Sequence, residues 1–157
     1  MLVRKWLSNK KNIYLDIDGV ILGKRNIDDY EIVLAKYAYK FLKFCTGSFN
    51  CFWLSSHSSK GRMSDVIKYL IPYTDGEVIK LVKLIKPLKW QVFKTEALDL
   101  SSDFIWVDDE LSWCERKILV ENNVLDRWIY INTNTNPNDL LKVLNIIKDK
   151  FLLHSKH

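Results

Sequence analysis

Three short apolar segments of the chain each end in a cluster of polar residues. They read NIYLDIDG from residue 12, NCFWLSS from residue 50 and DFIWVDD from residue 103. Apolar and aromatic residues dominate each segment and turn-forming residues bound it, which is typical of a buried strand. Helical patterns separate the three segments. This alternation favours an α/β fold built on a Rossmann-like, doubly wound and mainly parallel sheet.

Apolar residues at helical spacing predict the helices. The first is expected in DDYEIVLAKYAYKFLKFC, where the apolar stripe consists of Ile32, Ala35, Ala38, Leu42 and Cys45, and it should end at TGS. RWIYIN adds a further strand, whereas residues 72–93 have no clear pattern. The other predicted helices are SSKGRMSDVIKYLI, KTEALDL, ELSWCERKILVEN and the Pro-initiated NPNDLLKVLNIIKDKFLL.

The length of 157 residues suits a single domain over residues 1–157, with a core at about 12–150. The three cysteines, Cys45, Cys51 and Cys114, have no metal-site spacing and are expected as reduced core residues. No segment has the apolar length of a signal peptide or a membrane span. A cytoplasmic protein without membrane association is therefore expected.

The net charge of +5 favours an anionic partner, although the lysines are scattered along the chain. A lysine-rich solvated surface explains that charge equally well. Phosphate-bearing substrates, including nucleic acid, are compatible with it.

A parallel sheet would bring the polar strand ends to one edge, where ligands of such folds bind. Several carboxylates close together oppose one another's ionisation unless a cation compensates them. Hard oxygen ligands in an open site suit Mg²⁺, which keeps several waters and takes few protein carboxylates. The side chains expected at this edge are Asp16, Asp18, Ser55, Ser56, Lys94, Asp108 and Asp109.

The same residue types suit phosphoryl transfer, in which one carboxylate attacks phosphorus and a second moves a proton. Magnesium, a lysine, serine hydroxyls and backbone N–H groups such as that of Gly19 would hold the phosphoryl oxygens. Plainer roles exist as well, because Asp-Gly forms turns and both Asp and Ser cap helices. His57 could contact the substrate or simply lie at a helix entry, and Glu110, Glu115 and Arg62 are expected at the surface or in ion pairs.

The order YLDIDGV, FWLSS, FKTEAL and IWVDDE closely resembles the four successive motifs of the haloacid dehalogenase (HAD) superfamily of Mg²⁺-dependent phosphohydrolases. The resemblance spans about residues 12 to 150. WLSS, KTEAL, WVDDELSW and INTNTNPNDLLKVLNII are most similar to the small HAD domains of RNA-repair "Swiss Army knife" proteins. A response-regulator receiver domain uses similar residues in another order, which excludes it.

The resemblance implies a role for each matched residue. Asp16 would be the nucleophile and a metal ligand, and Asp18 the general acid and base, with its backbone carbonyl on the metal. Ser55, or its neighbour Ser56, would hold the phosphoryl group, and Lys94 would pair with Asp16. Asp108 would complete the Mg²⁺ site, with Asp109 a ligand through water or a partner of the ligands.

HAD enzymes usually select substrates through cap insertions. ILGKRN leaves room for a short flap only, and the segment between Ser55 and Lys94 must also supply a helix, so no full cap domain is expected. The expected function is a phosphomonoester hydrolase acting through an aspartyl-phosphate, with nucleic-acid terminal phosphates or nucleotides among its candidate substrates. The alternative is a non-catalytic HAD-like module that binds a phosphorylated ligand or protein.

Overall fold

The computed structural model describes residues 10–152 of the chain, with the side chain of Leu152 excluded. The final residue of the last predicted helix, Leu153, lies outside the described residues, as do the two termini of the predicted domain. The strands, in chain order, are β1 (Asn12–Leu15), β2 (Leu22–Lys24), β3 (Ile32–Leu34), β4 (Asn50–Trp53), β5 (Lys86–Pro87), β6 (Phe104–Asp108) and β7 (Trp128–Tyr130).

Helices connect most of these strands. In chain order they are α1 (Ala38–Ser48), α2 (Met63–Leu70), α3 (Gly76–Val82), α4 (Trp113–Glu121) and α5 (Asp139–Ile147). Single 3₁₀ turns occur at Ser56–Ser58, Ile71–Tyr73, Lys94–Ala97 and Leu125–Arg127, and a π turn at Lys148–Leu152 continues α5. No helix between residues 10 and 152 is long and apolar enough to cross a membrane.

The main sheet has five strands in the order β5-β4-β1-β6-β7, and every neighbouring pair is parallel. Leu15, the last residue of β1, pairs with Trp53 on one side and with Val107 on the other. The carboxyl ends of the three central strands therefore meet at one edge. The predicted α/β class with a Rossmann-like parallel sheet agrees with this architecture.

Alternate residues of the central strands pack into two apolar clusters on opposite faces of the sheet. Ile13 and Leu15 belong to the larger cluster, which α1, α2, α3 and α5 complete. Tyr14 and Trp106 belong to the smaller one, together with Leu119 of α4. Each fully buried Leu or Ile contributes roughly 1.5–3 kcal/mol, so these two clusters hold the helices on the sheet. Cys45 and Cys51 are buried, but Cys114 is exposed on α4, which corrects the expectation that all three lie in the core.

The beginning of the first predicted helix is wrong. Residues 32–34 form β3, which pairs antiparallel with β2 as a separate two-stranded hairpin. Two β-branched residues, Ile32 and Val33, favour this extended conformation. Tyr37 then adopts φ 70°, a left-handed turn that separates the hairpin from α1. The predicted end at TGS agrees with the structure, since TGS forms the last turn of α1 and the helix ends at Ser48.

The segment without a clear pattern contains two regular elements. Asp75 accepts a hydrogen bond from the Val78 amide and so caps α3, while Val78 and Val82 reach the core. Lys86–Pro87 then forms the short strand β5 at the edge of the sheet, where proline costs little because no strand of the described part of the chain pairs with its outer side. The whole stretch from α2 to β5 is thus used to cover and extend the sheet.

Candidate active site

Two carboxylates meet at the carboxyl edge of the sheet because their strands are neighbours in register. Asp16 directly follows β1, and its amide donates to the Val107 carbonyl at 3.1 Å. Asp108 is the last residue of β6. The pairing of Leu15 with Val107 therefore carries both aspartates to adjacent positions.

Asp109 joins this pair to form a cluster of three carboxylates. Asp16, Asp108 and Asp109 each offer an oxygen, and the three oxygens lie within 4.8 Å of one another. Asp108 is fully buried and Asp16 is 6% exposed, whereas Asp109 is partly exposed. This donor set suits a hard divalent cation.

Among residues 10–152, Lys94 supplies the one ammonium group that contacts this cluster. Its Nζ lies 2.7 Å from Asp108 Oδ2 and 3.3 Å from Asp16 Oδ1. Burial disfavours the charged ammonium, but Asp16 and Asp108 outweigh that effect and raise the pKa of Lys94. The lysine therefore stays charged and pairs with both carboxylates.

A 3₁₀ turn, Lys94–Ala97, holds the lysine in place. The carboxylate of Glu96 accepts hydrogen bonds from three consecutive backbone amides, those of Gln91, Val92 and Phe93. Glu115 is buried and accepts from the Lys94 amide at 3.0 Å. Glu115 was expected at the surface or in an ion pair, but it is buried and forms no salt bridge with any residue that the structure describes. Its carboxylate instead joins α4 to the turn that carries the lysine.

The fully buried Asp108 has further donors. Trp106 donates its indole N–H to Asp108 Oδ2 at 3.1 Å, and the Glu110 amide donates to Oδ1 at the same distance. Burial and then the neighbouring Asp16 nonetheless raise the pKa of Asp108 well above its usual range. The pKa of Asp109 is raised by the same two causes in the same order. Lys94 alone therefore does not offset the cost of ionising all three carboxyl groups together.

Gly19 lies against Asp109 in a conformation that favours glycine. Its φ is +73°, and a Cβ placed there would lie 2.3 Å from Asp109 Oδ2. Its amide donates to the Leu22 carbonyl and its carbonyl accepts from the Thr133 amide, both at 2.8 Å. The Gly19 amide is therefore engaged within its own turn, and its predicted contact with substrate stays a prediction.

Asp18 is not part of the carboxylate cluster. Its Oδ2 lies 2.9 Å from Nε2 of His57, and its Oδ1 accepts a 2.5 Å hydrogen bond from the Tyr69 hydroxyl. Burial, and then the hydrogen bond to Asp18, raise the pKa of Tyr69 well above its usual range. The predicted contact of the Asp18 backbone carbonyl with a metal stays a prediction.

The two serines differ sharply in exposure. Ser55 is fully buried, caps the turn Ser56–Ser58 by accepting from the His57 amide, and accepts the Trp90 indole N–H at its carbonyl. Ser56 is exposed. Its role as a cap is enough to explain the position of Ser55, whether or not it binds a substrate. The choice between Ser55 and Ser56 as the contact of the phosphoryl group therefore stays open.

Tyr69 and Trp106 are site residues that sequence reasoning missed. Tyr69 shares the inward stripe of α2 with Val66 and Leu70, which are buried. Because a tyrosine hydroxyl on an inward stripe needs a polar partner, that position was the available signal. Trp106 is two residues before Asp108 and therefore on the same face of β6, so its N–H can reach the carboxylate.

Comparisons of the chain with protein-family models, curated proteins and solved structures found no match.

Proposed function

We propose that this protein is a Mg²⁺-dependent phosphomonoesterase of the HAD type, with Asp16 as its nucleophile. The observation that carries the proposal is the contact of Lys94 with both Asp16 and Asp108 inside a cluster of three carboxylates. A buried lysine that merely balanced one structural aspartate would not need two further carboxylates beside it. The HAD-like order of the four motifs supports the same conclusion.

The residues fit Mg²⁺ by charge as well as by donor type. With all three carboxylates ionised, the cluster and the one ammonium carry two net negative charges, which a divalent cation compensates. The raised pKa values of Asp108 and Asp109 in the ion-free site oppose that ionisation, and a bound cation would favour it. Asp16, Asp108 and Asp109 would hold the ion, with the Asp18 backbone carbonyl as a predicted further ligand. When bound, the ion would neutralise charge on the transferring phosphoryl group.

In the first half of the proposed reaction, a carboxylate oxygen of Asp16 attacks phosphorus. A bond forms between that oxygen and phosphorus, the bond to the ester oxygen breaks, and Asp18 gives its proton to the departing alcohol. Lys94 stabilises the negative charge on the phosphoryl oxygens, and Ser55 or Ser56 hydrogen-bonds one of them. The products are an aspartyl-phosphate on Asp16 and a free alcohol.

In the second half, water attacks the same phosphorus. Asp18, now a carboxylate, takes a proton from the water, and the bond between phosphorus and Asp16 breaks. Inorganic phosphate leaves, Asp16 returns as a carboxylate and Asp18 returns protonated. The two halves therefore consume one water and one ester and regenerate every side chain.

The proposed substrates are phosphorylated ends of nucleic acid or nucleotides in the cytoplasm. The hairpin of β2 and β3 is the only insertion between β1 and α1, so it would act as a flap rather than as a cap domain. A site without a cap admits large substrates, and the net charge of +5 favours polyanions. The resemblance to RNA-repair domains agrees with this choice.

The test is Mg²⁺-dependent hydrolysis of p-nitrophenyl phosphate by the wild-type protein and by Asp16→Asn. The proposal expects a loss of at least about a thousandfold in the variant, because the nucleophile is removed. Asp126→Asn is the matched control, since Asp126 is an exposed aspartate outside the cluster. Equal rates for wild type and Asp16→Asn would overturn the nucleophile assignment.

A substrate panel then tests the proposed class. It should contain 5′- and 3′-phosphorylated oligonucleotides, mononucleotides, sugar phosphates and phosphopeptides. Oligonucleotide ends or nucleotides are expected to have the highest kcat/KM. Mg²⁺ binding without turnover of any phosphate would favour the non-catalytic binding module instead.

A further inference from the structure

Both carboxylate oxygens of Asp18 are held by side chains from another part of the chain. Oδ1 accepts from the Tyr69 hydroxyl at 2.5 Å, and Oδ2 lies 2.9 Å from His57 Nε2. In the ionised state that Asp18 has when it takes a proton from water, the carboxylate can only accept hydrogen bonds, so the His57 nitrogen at this contact then carries a hydrogen and donates it. Two donors on two different oxygens fix both the position and the rotation of the group.

The two donor residues, His57 and Tyr69, also pack against each other. The rings of His57 and Tyr69 stack with centroids 3.4 Å apart and planes 11° from parallel. Tyr69 belongs to α2, whose neighbouring residues Val66 and Leu70 are buried, while His57 lies in the turn Ser56–Ser58 that Ser55 caps. The stacked pair is therefore anchored at both ends, by a helix and by a capped turn.

We propose that His57 and Tyr69 are positioning residues that hold the Asp18 carboxylate for proton transfer. This inference rests on the proposed function, in which Asp18 protonates the leaving oxygen and later takes a proton from water. A carboxylate has about four lone-pair directions, and the two donors occupy one on each oxygen. The group thus keeps free directions for a reacting oxygen while its orientation is fixed.

The competing role is direct substrate binding. His57 and Tyr69 also line an open groove of about 390 Å³, together with Ser56, Lys60 and Lys68. If they acted by binding the substrate there, their loss would raise KM. Loss of a positioning contact would lower kcat instead, because a misplacement of about 1 Å can cost roughly a hundredfold in rate.

The first measurement is the kinetics of p-nitrophenyl phosphate hydrolysis by Tyr69→Phe, which keeps the ring stack and removes only the hydroxyl. We expect kcat to fall roughly 10- to 100-fold with KM within about twofold of wild type. Tyr73→Phe is the matched control, because Tyr73 packs edge-on against Tyr69 with centroids 6.2 Å apart. His57→Gln, which keeps an N–H donor, should retain more activity than His57→Ala.

A double-mutant cycle with Asp18→Asn tests whether the effect passes through Asp18. If Tyr69 acts only by holding Asp18, adding Tyr69→Phe to Asp18→Asn should cost no further kcat. An equal loss in both backgrounds would overturn the inference, as would an unchanged kcat in Tyr69→Phe. Melting temperatures of all variants separate these effects from simple unfolding.

The ring nitrogens of His57 give a readout that does not depend on turnover. In the metal-free protein, the ¹⁵N shift of Nε2 should be that of a protonated nitrogen, and Asp18→Ala should move it towards a mixture of tautomers. A shift that Asp18→Ala leaves unchanged would overturn the contact itself. If Asp16→Asn abolishes turnover and Tyr69→Phe keeps a normal kcat, only this inference is overturned. If the wild-type protein shows no turnover, both this inference and the proposed function are overturned.

Discussion

Lys94 donates a 2.7 Å hydrogen bond to Asp108, an aspartate with no solvent exposure at all. The lysine itself is largely buried, with 15% of its side chain exposed. Removal of one partner from a buried ion pair leaves the other charge uncompensated in a poorly solvated site. Loss of the Lys94 charge should therefore lower the free energy of unfolding of the protein as well as change the charge of the site.

Lys94→Met is expected to lower the free energy of unfolding by about 3 kcal/mol in the absence of Mg²⁺. Urea unfolding followed by circular dichroism would measure the change. Lys142→Met, at an exposed lysine of α5, is the control and should change stability by less than about 0.5 kcal/mol. Adding Asp108→Asn to Lys94→Met should recover part of the loss, and a double variant less stable than Lys94→Met would contradict this explanation.

Gly19→Ala should weaken Mg²⁺ binding by the carboxylate cluster without removing a carboxylate. The new Cβ would collide with Asp109 Oδ2, and φ of +73° costs an alanine about 1–2 kcal/mol. We expect this loss of stability together with a roughly tenfold weaker Mg²⁺ affinity by isothermal titration calorimetry. Gly76→Ala is the matched control, because no atom lies within 4 Å of the place that an alanine Cβ would take there. Unchanged Mg²⁺ affinity in Gly19→Ala would argue against Asp109 as part of the metal site.

The stabilisation that the Glu96 carboxylate provides should be lost in acid. Hydrogen bonds from the amides of Phe93, Val92 and Gln91 lower the pKa of its carboxyl in the folded state. A lowered folded pKa means that the stabilisation is present above the unfolded pKa of about 4.3 and is lost as pH falls through the lower folded value. Glu96→Gln should therefore have a lower melting temperature than wild type at pH 7, and the difference should shrink towards pH 3. Glu121→Gln, at an exposed glutamate, should show no such pH-dependent difference.

Thiol titration tests the placement of the three cysteines. Burial raises the pKa of Cys45 well above its usual range and that of Cys51 to about 12, whereas Cys114 is exposed. A thiol reagent should modify one cysteine in the native protein and all three in denaturant, because the thiolate is the reactive form. Cys114→Ser should abolish the native reaction. Rapid native modification of that variant would contradict the burial of Cys45 and Cys51.

The sequence predicted the elements whose local pattern and tertiary environment agree. β1 and β6 are short apolar runs, and both became central strands because their hydrophobic residues are buried on both faces of the sheet. Asp16 and Asp108 could be predicted at one edge because parallel strands bring their carboxyl ends together. The helical spacing of Ala38, Leu42 and Cys45 likewise identified α1.

The rest depended on contacts between distant segments. Ile32 lies in step with the α1 stripe, but pairing with Lys24 in the hairpin overrides that periodicity. The contact of Tyr69 with Asp18 depends on how α2 packs against the sheet, which spacing within the helix does not determine. Glu115 is polar by sequence, and only the approach of the Lys94 turn to α4 explains its burial.

The central position of β1 also has a consequence for the order of folding. β1 pairs with β4, the next strand of the main sheet along the chain, and with β6, which is synthesised much later. Asn12 can therefore pair with Phe104 only once β6 has been made. In a growing chain, β1 is an unprotected edge until β6 arrives, and such edges can pair with other chains. Asp108 is the last residue of β6, and it is synthesised shortly after Lys94. The chain therefore brings its repelling carboxylates together only when the last central strand docks, with the compensating lysine already synthesised.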